Sequence, residues 1–307
     1  MRIVVHGQQA FGKSVLEALL NRGEDVVGVF CAPAASGGRV DPLQEAAEAH
    51  GLPVHQPKSY RKPEVRDTFA ALESDLCVMA YVTLFVPEEV LNLPRLGTIQ
   101  YHPSLLPRHR GPSSINWPIV WGEKQTGLTI FWPDNGLDTG PILLQKQVDI
   151  ADTDTLGSLY FNQLYPLGVE AMLEAVDQVR DGTAPKIPQD EADATYEGWC
   201  RKEQVEIDWG QPLDTVWNLI RGADPQPGAW STLAGREVQI YDAHKLPGAP
   251  GSMPGEVTSV DENGITVAAL GGHLAIQRVR PAGGKKMAAG ALVQEAGLRP
   301  GARFGGS

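Results

Sequence analysis

Arg2-Ile3-Val4-Val5-His6-Gly7-Gln8-Gln9-Ala10-Phe11-Gly12-Lys13-Ser14 is the stretch that decides the fold class. Residues 2–6 form an apolar run that is typical of a buried parallel strand, and apolar residues recur at helical spacing over 13–21. Residues 25–30 predict a second strand. A β-α-β unit of this kind predicts an α/β fold with a mostly parallel, doubly wound sheet, because such crossovers bring consecutive strands side by side in the same direction.

The glycine turn in this stretch also matches G-x-x-x-x-G-K-[ST], the phosphate-binding P-loop. In that interpretation Lys13 would reach a terminal phosphate and Ser14 would hold magnesium. A nucleotide hydrolase also needs an apolar strand that ends in a metal-binding aspartate, and in the nearest candidate, residues 128–134, Pro133 interrupts the run. The alternative is a tight strand-to-helix turn, with Lys13 and Ser14 on a solvated first turn of the helix.

A second stretch, Gln100 to Gly111, contains the end of a predicted strand over residues 97–102 and the loop that follows it. Side chains alternate along a strand, so Gln100 and His102 face the same way and Tyr101 faces the other way. Pro103 and Pro107 stiffen the loop that follows. Ligands of open α/β sheets bind beyond the carboxyl ends of the strands, and His102 is therefore a candidate site residue. The alternative is that His102 has no role in binding and the strand simply ends in a polar loop.

Composition limits the classes of protein to which the chain can belong. It has 307 residues, a hydrophobic content of 42% and three widely spaced cysteines, which fits a globular protein with reduced thiols in the cytoplasm. We expect no signal peptide and no membrane span, because no apolar run approaches about 18 residues. The net charge of -11 would repel a nucleic acid unless a local basic patch offsets it.

Asp138, in the polar turn after the predicted strand 128–132, is the best candidate partner for His102. A carboxylate that accepts a hydrogen bond from an imidazole orients the ring and favours its charged form, which could then stabilise an oxyanion. The alternative is that Asp134 and Asp138 only hold a glycine turn. The sequence has no G-x-S-x-G, no H-E-x-x-H and no Cys/His metal spacing, so we expect neither a serine hydrolase nor a zinc enzyme.

Several of these motifs together resemble the 10-formyltetrahydrofolate-dependent formyltransferase family. They are Gly7 to Gly12, Tyr101 to Gly111, Ile115 to Trp117, Gly136 to Gly140, Ala194 to Gly198, and Arg221-Gly222. The resemblance runs from residue 1 to about 305, and it is strongest to the hydrolase domain of 10-formyltetrahydrofolate dehydrogenase and next strongest to methionyl-tRNA formyltransferase.

The resemblance implies a catalytic role for His102 and for Asp138, with 10-formyltetrahydrofolate as formyl donor and no metal. Gln100 stands where the family's transferases carry Asn and the hydrolase domain carries an aliphatic residue. The residues implied to bind the folate are Leu84, Phe85, Val86, Ser104, Leu105, Leu106, Pro107 and, near the pterin, Asp134. No nucleoside triphosphate binds the glycine turn in this family.

The second half predicts a long amphipathic helix over 154–180, in which Pro166 starts or kinks a second part. Short strands separated by Gly and Pro turns follow. These strands predict a small β-barrel. We therefore predict a folate-binding catalytic domain at 1–182, a Pro- and acid-rich linker at 183–203 and a C-terminal β-barrel domain at 204–307.

The formyl acceptor is left open among water, a small amine and tRNA. Residues 31–41, where the tRNA-binding members of the resembled family carry a basic loop, have one basic residue, Arg39. The C-terminal basic strip is modest and consists of Arg278, Arg280, Lys285, Lys286, Arg299 and Arg303. We therefore expect removal of the formyl group by hydrolysis or by transfer to a small amine, with tetrahydrofolate as product. The alternatives are formylation of initiator methionyl-tRNA and, from another class, a folate-binding module without turnover.

Overall fold

The computed structural model describes residues 1–33, 38–248, 251–262 and 264–305. It divides into two compact units that do not follow the chain in order. The first unit contains Met1–Gly111, Gly127–Val148 and Phe161–Tyr196, and the second contains Pro112–Thr126, Asp149–Tyr160 and the chain from Glu197 onward. The three predicted domain ranges, which are contiguous, stay a prediction. The predicted polar loop 31–41 lies partly outside the described residues, at 34–37.

The first unit is built on a seven-stranded sheet with the order β3-β2-β1-β4-β5-β6-β7. The strands are β1 (Arg2–Gly7), β2 (Asp25–Phe30), β3 (Val54–His55), β4 (Leu76–Ala80), β5 (Thr98–His102), β6 (Gln125–Phe131) and β7 (Ile142–Asp149). Strands β1 to β5 pair in parallel, and β6 runs antiparallel to β5. The predicted Rossmann-like, mostly parallel sheet is confirmed.

Nine α-helices accompany the sheets in the part of the chain that the structure describes. They are α1 (Gln9–Asn21), α2 (Pro42–Ala49), α3 (Pro63–Ala70), α4 (Glu88–Leu91), α5 (Asn116–Val120), α6 (Leu156–Leu159), α7 (Tyr165–Arg180), α8 (Leu213–Gly222) and α9 (Ala289–Ala296). The predicted long helix over 154–180 is divided, because a π-helical turn at Tyr160–Leu164 separates α6 from α7. Among the described helices none is both long enough and apolar enough to cross a bilayer.

The glycine turn after β1 is shorter than a P-loop. A single residue, Gln8, separates the end of β1 at Gly7 from the start of α1 at Gln9, and Gly12 already lies inside the helix. A Cβ atom on Gly7 would lie 2.2 Å from the carbonyl oxygen of Ala80, so only glycine fits there. No loop remains that could wrap around phosphates, and the P-loop interpretation is wrong.

The second unit contains the predicted β-domain, an antiparallel sheet with the order β10-β11-β12-β9-β8 and β13 paired with β12. Its strands are β8 (Trp230–Leu233), β9 (Arg236–Leu246), β10 (Val257–Val260), β11 (Ile265–Ala269), β12 (Gly272–Pro281) and β13 (Met287–Ala288). Near the end of the chain Phe304 bridges to Leu233 in β8, and Arg303 bridges to Glu256 beside β10. These bridges join the two edges of the sheet, as a barrel requires.

Candidate active site

His102 ends β5 with its side chain buried. The neighbouring Tyr101 faces the opposite side and packs against Phe11 in the core, with the ring centroids 4.3 Å apart. The Nε2 atom of His102 lies 2.8 Å from the carbonyl oxygen of His109. A carbonyl can only accept, so Nε2 carries the proton of this bond and the neutral ring has an unprotonated Nδ1. The His109 carbonyl therefore fixes the tautomer and the orientation of His102.

Asp138 lies between β6 and β7 in the left-handed backbone region, with φ of 56°, and its side chain is also buried. Its Oδ2 atom accepts the backbone N–H of Gly111 at 2.8 Å. Nδ1 of His102 lies 3.7 Å from the same oxygen, which is beyond hydrogen-bond distance. The predicted partners are thus brought together, but the ring of His102 is oriented by His109 and not, as expected from the sequence, by Asp138.

Gln100 lies two residues before His102 on β5, where it pairs with Met79 of β4 and Phe131 of β6. Strand alternation directs its half-buried side chain to the same face as that of His102. The amide therefore lies on the face of the sheet that carries the histidine, as predicted.

The loop at Ser104 to Pro107 is held by side chains from β6 and β7. Thr129 donates its hydroxyl to the carbonyl of Ser104 at 2.7 Å and accepts the N–H of Leu106 at 3.1 Å. Gln145 donates to the carbonyl of Leu106 at 2.8 Å. The hydroxyl of Ser104 donates to the carbonyl of Arg108, so it closes the loop on itself. Ser104 therefore shapes the loop with its hydroxyl, and Leu106 is packed in the interior.

Leu105 and Pro107, also predicted to bind the folate, are half-buried members of this loop. The peptide bond between Leu106 and Pro107 is cis. Leu105 packs against β6 so closely that a Cβ atom on Gly127 would lie 2.6 Å from its Cδ2. The glycine lets the loop lie directly on the sheet next to His102.

The predicted apolar lip follows β4. Val86 is buried, Leu84 is half-buried, and Phe85 is 52% exposed with the guanidinium of Arg61 5.3 Å from its ring centroid. A flat aromatic ligand can stack on such a surface.

Asp134 holds its own turn through hydrogen bonds, which fits the alternative that this residue only stabilises a glycine turn. Its Oδ1 atom accepts the N–H of Gly136 at 2.9 Å and the hydroxyl of Thr139 at 2.7 Å. The next residue, Asn135, donates to Glu88 of α4, so the turn that carries Asp138 is tied to the lip. A pit at this junction is lined by Pro87, Glu88, Glu89, Asn92 and Asn135.

The sequence did not predict a role for the segment 185–195, which forms hydrogen bonds with the two loops that carry the site. Gln189 donates through Nε2 to the carbonyls of Asp138 at 2.9 Å and Gly140 at 2.7 Å. Its Oε1 accepts two N–H groups of Arg110, at 3.1 and 2.9 Å. Arg110 also pairs with the exposed Glu191, and this hydrogen bond raises the pKa of the guanidinium.

The same segment fixes the backbone that orients His102. Thr195 accepts the N–H of His109 on its hydroxyl at 2.8 Å, and its carbonyl accepts the N–H of Arg110 at 3.1 Å. Its own N–H donates to the carbonyl of Pro107 at 3.2 Å. The only sequence signal for this segment was the motif at 194–198, because a Pro- and acid-rich stretch gives no helical or strand periodicity.

The chemistry that this arrangement can perform is acyl transfer. A buried imidazole whose Nδ1 points at a buried carboxylate can stabilise a developing oxyanion and exchange one proton with its partner. In the described part of the chain no group of three His, Cys, Asp or Glu side chains is placed to hold a metal ion. The expectation that the chemistry needs no metal stays a prediction.

The sheet with its histidine and aspartate at the carboxyl edge, followed by a β-barrel unit, defines the class of protein. The chain belongs to the formyl transferase family: the formyl transferase model matches residues 1–176, and the model of the C-terminal domain of formyl transferases matches residues 200–297. The predicted family resemblance is confirmed.

Curated relatives come from two branches of that family. The chain is 42% identical over 271 residues to the mitochondrial 10-formyltetrahydrofolate dehydrogenase of Mus musculus, which covers 86% of this chain and 29% of the relative. It is 38% identical over 311 residues to the methionyl-tRNA formyltransferase of Thiobacillus denitrificans, covering 99% of this chain and 100% of that protein. The chain thus spans less than a third of the dehydrogenases and the whole of the transferase.

Solved structures share the fold. HypX from Aquifex aeolicus in complex with tetrahydrofolic acid has a TM-score of 0.70 at 22% identity, over 96% of this chain and 47% of HypX. An N-formyltransferase from Helicobacter canadensis, in complex with folinic acid and dTDP-3-aminofucose, has a TM-score of 0.68 at 18% identity, over 93% of this chain and 99% of that protein.

Proposed function

We propose that the chain removes the formyl group from 10-formyltetrahydrofolate, by hydrolysis or by transfer to a small amine, and releases tetrahydrofolate. The observation that carries this proposal is the buried pair of His102 and Asp138, whose Nδ1 and Oδ2 atoms are 3.7 Å apart at the carboxyl edge of the sheet. The names of the curated relatives support the donor, because they specify 10-formyltetrahydrofolate in the dehydrogenases.

The reaction follows from the geometry. Water or an amine attacks the formyl carbon, a new C–O or C–N bond forms, and the carbonyl oxygen becomes an oxyanion. His102 stabilises this oxyanion in its charged form, which carries an N–H at Nδ1 as well as at Nε2. Asp138 accepts the proton that the nucleophile loses. The bond from the formyl carbon to N10 then breaks, and N10 takes up a proton. The products are formate or a formamide, together with tetrahydrofolate.

The lip of Leu84, Phe85 and Val86 and the loop of Ser104 to Pro107 would bind the folate, with the pterin near Asp134. Phe85 is the exposed aromatic surface in this set, whereas Val86 and Leu106 are buried. No membrane partner is proposed, and a cytoplasmic location stays a prediction.

Formylation of initiator methionyl-tRNA is the second candidate, and it is favoured by the end-to-end match to the Thiobacillus transferase. The contacts of two basic side chains in the second unit argue against this candidate. Lys286 pairs with the largely buried Asp224 at 3.3 Å, and Arg280 donates to Gln239. Two cations of the C-terminal basic strip are therefore already engaged inside their own unit, which weakens the strip as a site for phosphates.

The test is an absorbance assay for tetrahydrofolate release from 10-formyltetrahydrofolate, with water alone, with small amines and with charged initiator tRNA. His102→Ala and Asp138→Ala should each lower the rate by about 10²- to 10⁴-fold. The matched control is His244→Ala, because His244 also lies beside an aspartate, Asp242 at 3.4 Å, but that pair is exposed. The control should keep the native rate.

Four results would separate the readings. Release with water or small amines, lost in both site variants, supports the proposal. Release only with charged tRNA would replace it with the second candidate. Tight folate binding without release would identify a folate-binding module. A near-native rate in either site variant would show that the pair is not catalytic.

A further inference from the structure

Thr129 lies on β6 directly opposite His102, because the two residues are in register where β5 and β6 pair. Its side chain is fully buried, and its hydroxyl makes three hydrogen bonds. The hydroxyl donates to the carbonyl of Ser104 at 2.7 Å, and it accepts an N–H of Leu106 at 3.1 Å and of Gln145 at 2.9 Å. A hydroxyl has one donor and two acceptor positions, so all three positions of Thr129 are used inside the protein.

Gln145 of β7 completes this network. The two protons of its amide nitrogen go to the carbonyl of Leu106 at 2.8 Å and to the hydroxyl of Thr129. The N–H and the carbonyl of Leu106 are therefore both bonded to side chains. Gln145 is exposed, so water can take over part of its role, whereas water does not reach the fully buried hydroxyl of Thr129.

The loop that this network holds begins and ends at the ring of His102. The chain leaves β5 at His102, and the carbonyl of His109 accepts the hydrogen bond from Nε2 of that ring at 2.8 Å. Between these two points the hydroxyl of Ser104 donates to the carbonyl of Arg108, the residue before His109, at 2.7 Å. A continuous series of hydrogen bonds therefore leads from Thr129 through Ser104 to the residue next to the one that orients His102.

The carbonyl of His109 determines which nitrogen of the His102 ring carries the proton. While it accepts from Nε2, Nδ1 is unprotonated and faces Oδ2 of Asp138 at 3.7 Å. If the loop moved and withdrew this carbonyl, the carboxylate of Asp138 would be the remaining strong acceptor, and the proton would favour Nδ1. The ring would also lose the contact that orients it, and a shift of about 1 Å in a reacting group lowers the rate by about 10²-fold.

We propose that Thr129 is a positioning residue for the reaction: its hydroxyl fixes the loop and, through the carbonyl of His109, the tautomer and the orientation of His102. The segment 185–195 holds the far end of the same loop, at Pro107 and His109, and Thr129 holds the near end from within the sheet. The effect on turnover rests on the proposed formyl removal, whereas the tautomer of His102 can be measured without turnover.

The experiment compares threonine substitutions on one strand. Thr129→Val keeps the shape of the side chain and removes its three hydrogen bonds, and Thr129→Ser keeps the hydroxyl. The matched control is Thr126→Val, because Thr126 also lies on β6 and is 3% exposed, but its hydroxyl has no hydrogen-bond partner among the described residues. Thermal melts show that each variant is folded.

Thr129→Val should lower kcat by about 30- to 100-fold and raise the KM for 10-formyltetrahydrofolate by less than about fivefold. Thr129→Ser should keep kcat within about threefold of the native value, because the hydroxyl is retained. Thr126→Val should leave both constants unchanged. The tautomer is measured from ¹⁵N spectra of histidine-labelled protein, in which His102→Ala identifies the signals of His102. The native ring should carry its proton on Nε2, and Thr129→Val should move the proton toward Nδ1.

Gln145→Leu tests the same network if Thr129→Val does not fold. It should lower kcat by about threefold, the effect of one partly replaced hydrogen bond, and shift the tautomer in the same direction. Gln147→Leu makes the same replacement at an exposed residue further along β7 and should change neither.

A higher KM with native kcat in Thr129→Val would overturn the proposal, since Thr129 would then shape only the folate surface. An unchanged tautomer in Thr129→Val, or in Gln145→Leu if the first variant is unfolded, would also overturn it. If the native protein releases no tetrahydrofolate with any acceptor, the proposed function fails, and the tautomer alone decides whether Thr129 positions His102.

Discussion

Gln189→Glu offers a sharp test of how the candidate site is held. The native side chain both accepts and donates: Oε1 accepts from Arg110, and Nε2 donates to the carbonyls of Asp138 and Gly140. A glutamate keeps the acceptor for the guanidinium but loses the donor. The substitution therefore removes the two hydrogen bonds that hold the backbone at Asp138 and Gly140 and keeps the contact with Arg110.

The magnitude follows from those two bonds. Each leaves a half-buried carbonyl without its donor, at about 1–2 kcal/mol, so we expect the free energy of unfolding to fall by about 2–4 kcal/mol. Asp138 sits at a φ of 56°, a conformation that its surroundings must enforce. Release of that backbone by about 1 Å should lower kcat by about 10²-fold, with a smaller change in the KM for folate.

Urea denaturation followed by circular dichroism gives the stability, and tetrahydrofolate release gives kcat and KM. Pro188→Ala is the matched control, since it alters the adjacent exposed residue and removes no side-chain hydrogen bond; it should change stability by less than about 1 kcal/mol. If Gln189→Glu unfolds at the native urea concentration and turns over at the native rate, the segment 185–195 does not position Asp138.

Three further predictions concern other parts of the first unit. Gln100→Asn should shift the products toward amine transfer and Gln100→Ile toward hydrolysis, by about tenfold, or ~1.4 kcal/mol; identical product ratios would make Gln100 a bystander. Burial lowers the pKa of His6 from 6.5 to about 3, so on acidification the unfolded chain binds a proton before the folded chain does. The free energy of unfolding should therefore fall by about 2 kcal/mol between pH 7.5 and pH 5. His6→Gln should flatten this pH dependence in urea titrations, and an unchanged slope would contradict the assignment. Gly7→Ala should lower the free energy of unfolding by more than about 3 kcal/mol, because the new Cβ would lie 2.2 Å from the carbonyl oxygen of Ala80. The control Gly198→Ala has open space around the new Cβ and should leave the melting temperature unchanged. Equal melting temperatures for the two variants would refute the clash.

The sequence predicted those parts of the molecule that depend on local pattern. The parallel sheet followed from the apolar runs and the helical spacing after β1. Asp138 was predicted as the partner of His102 from its polar turn, although β6 runs antiparallel to β5 and the sequence does not show this. The motif Gly7 to Ser14 left the phosphate loop open as an alternative to a tight turn, because no local rule shows that the helix begins at Gln9.

The supports of the site could not be predicted in this way. Gln189 and Thr195 act through backbone carbonyls and N–H groups 49 or more residues away in the chain, and such contacts leave no periodic trace. The orientation of His102 by the carbonyl of His109 is equally invisible, since every residue has a carbonyl. The sequence thus predicted the two candidate catalytic residues but not the residues that hold them in place.

The segment 185–195 also determines where the protein can be divided. It lies beyond residue 182, the boundary that composition suggests, yet it completes the first unit through Gln189 and Thr195. A chimera joined at residue 182 would therefore exchange the hydrogen-bond partners of its own site for those of another protein. A graft that keeps these hydrogen bonds reaches at least to Tyr196. Because Pro112–Thr126 and Asp149–Tyr160 belong to the second unit, these two segments should come from the same parent as the chain from Glu197 onward.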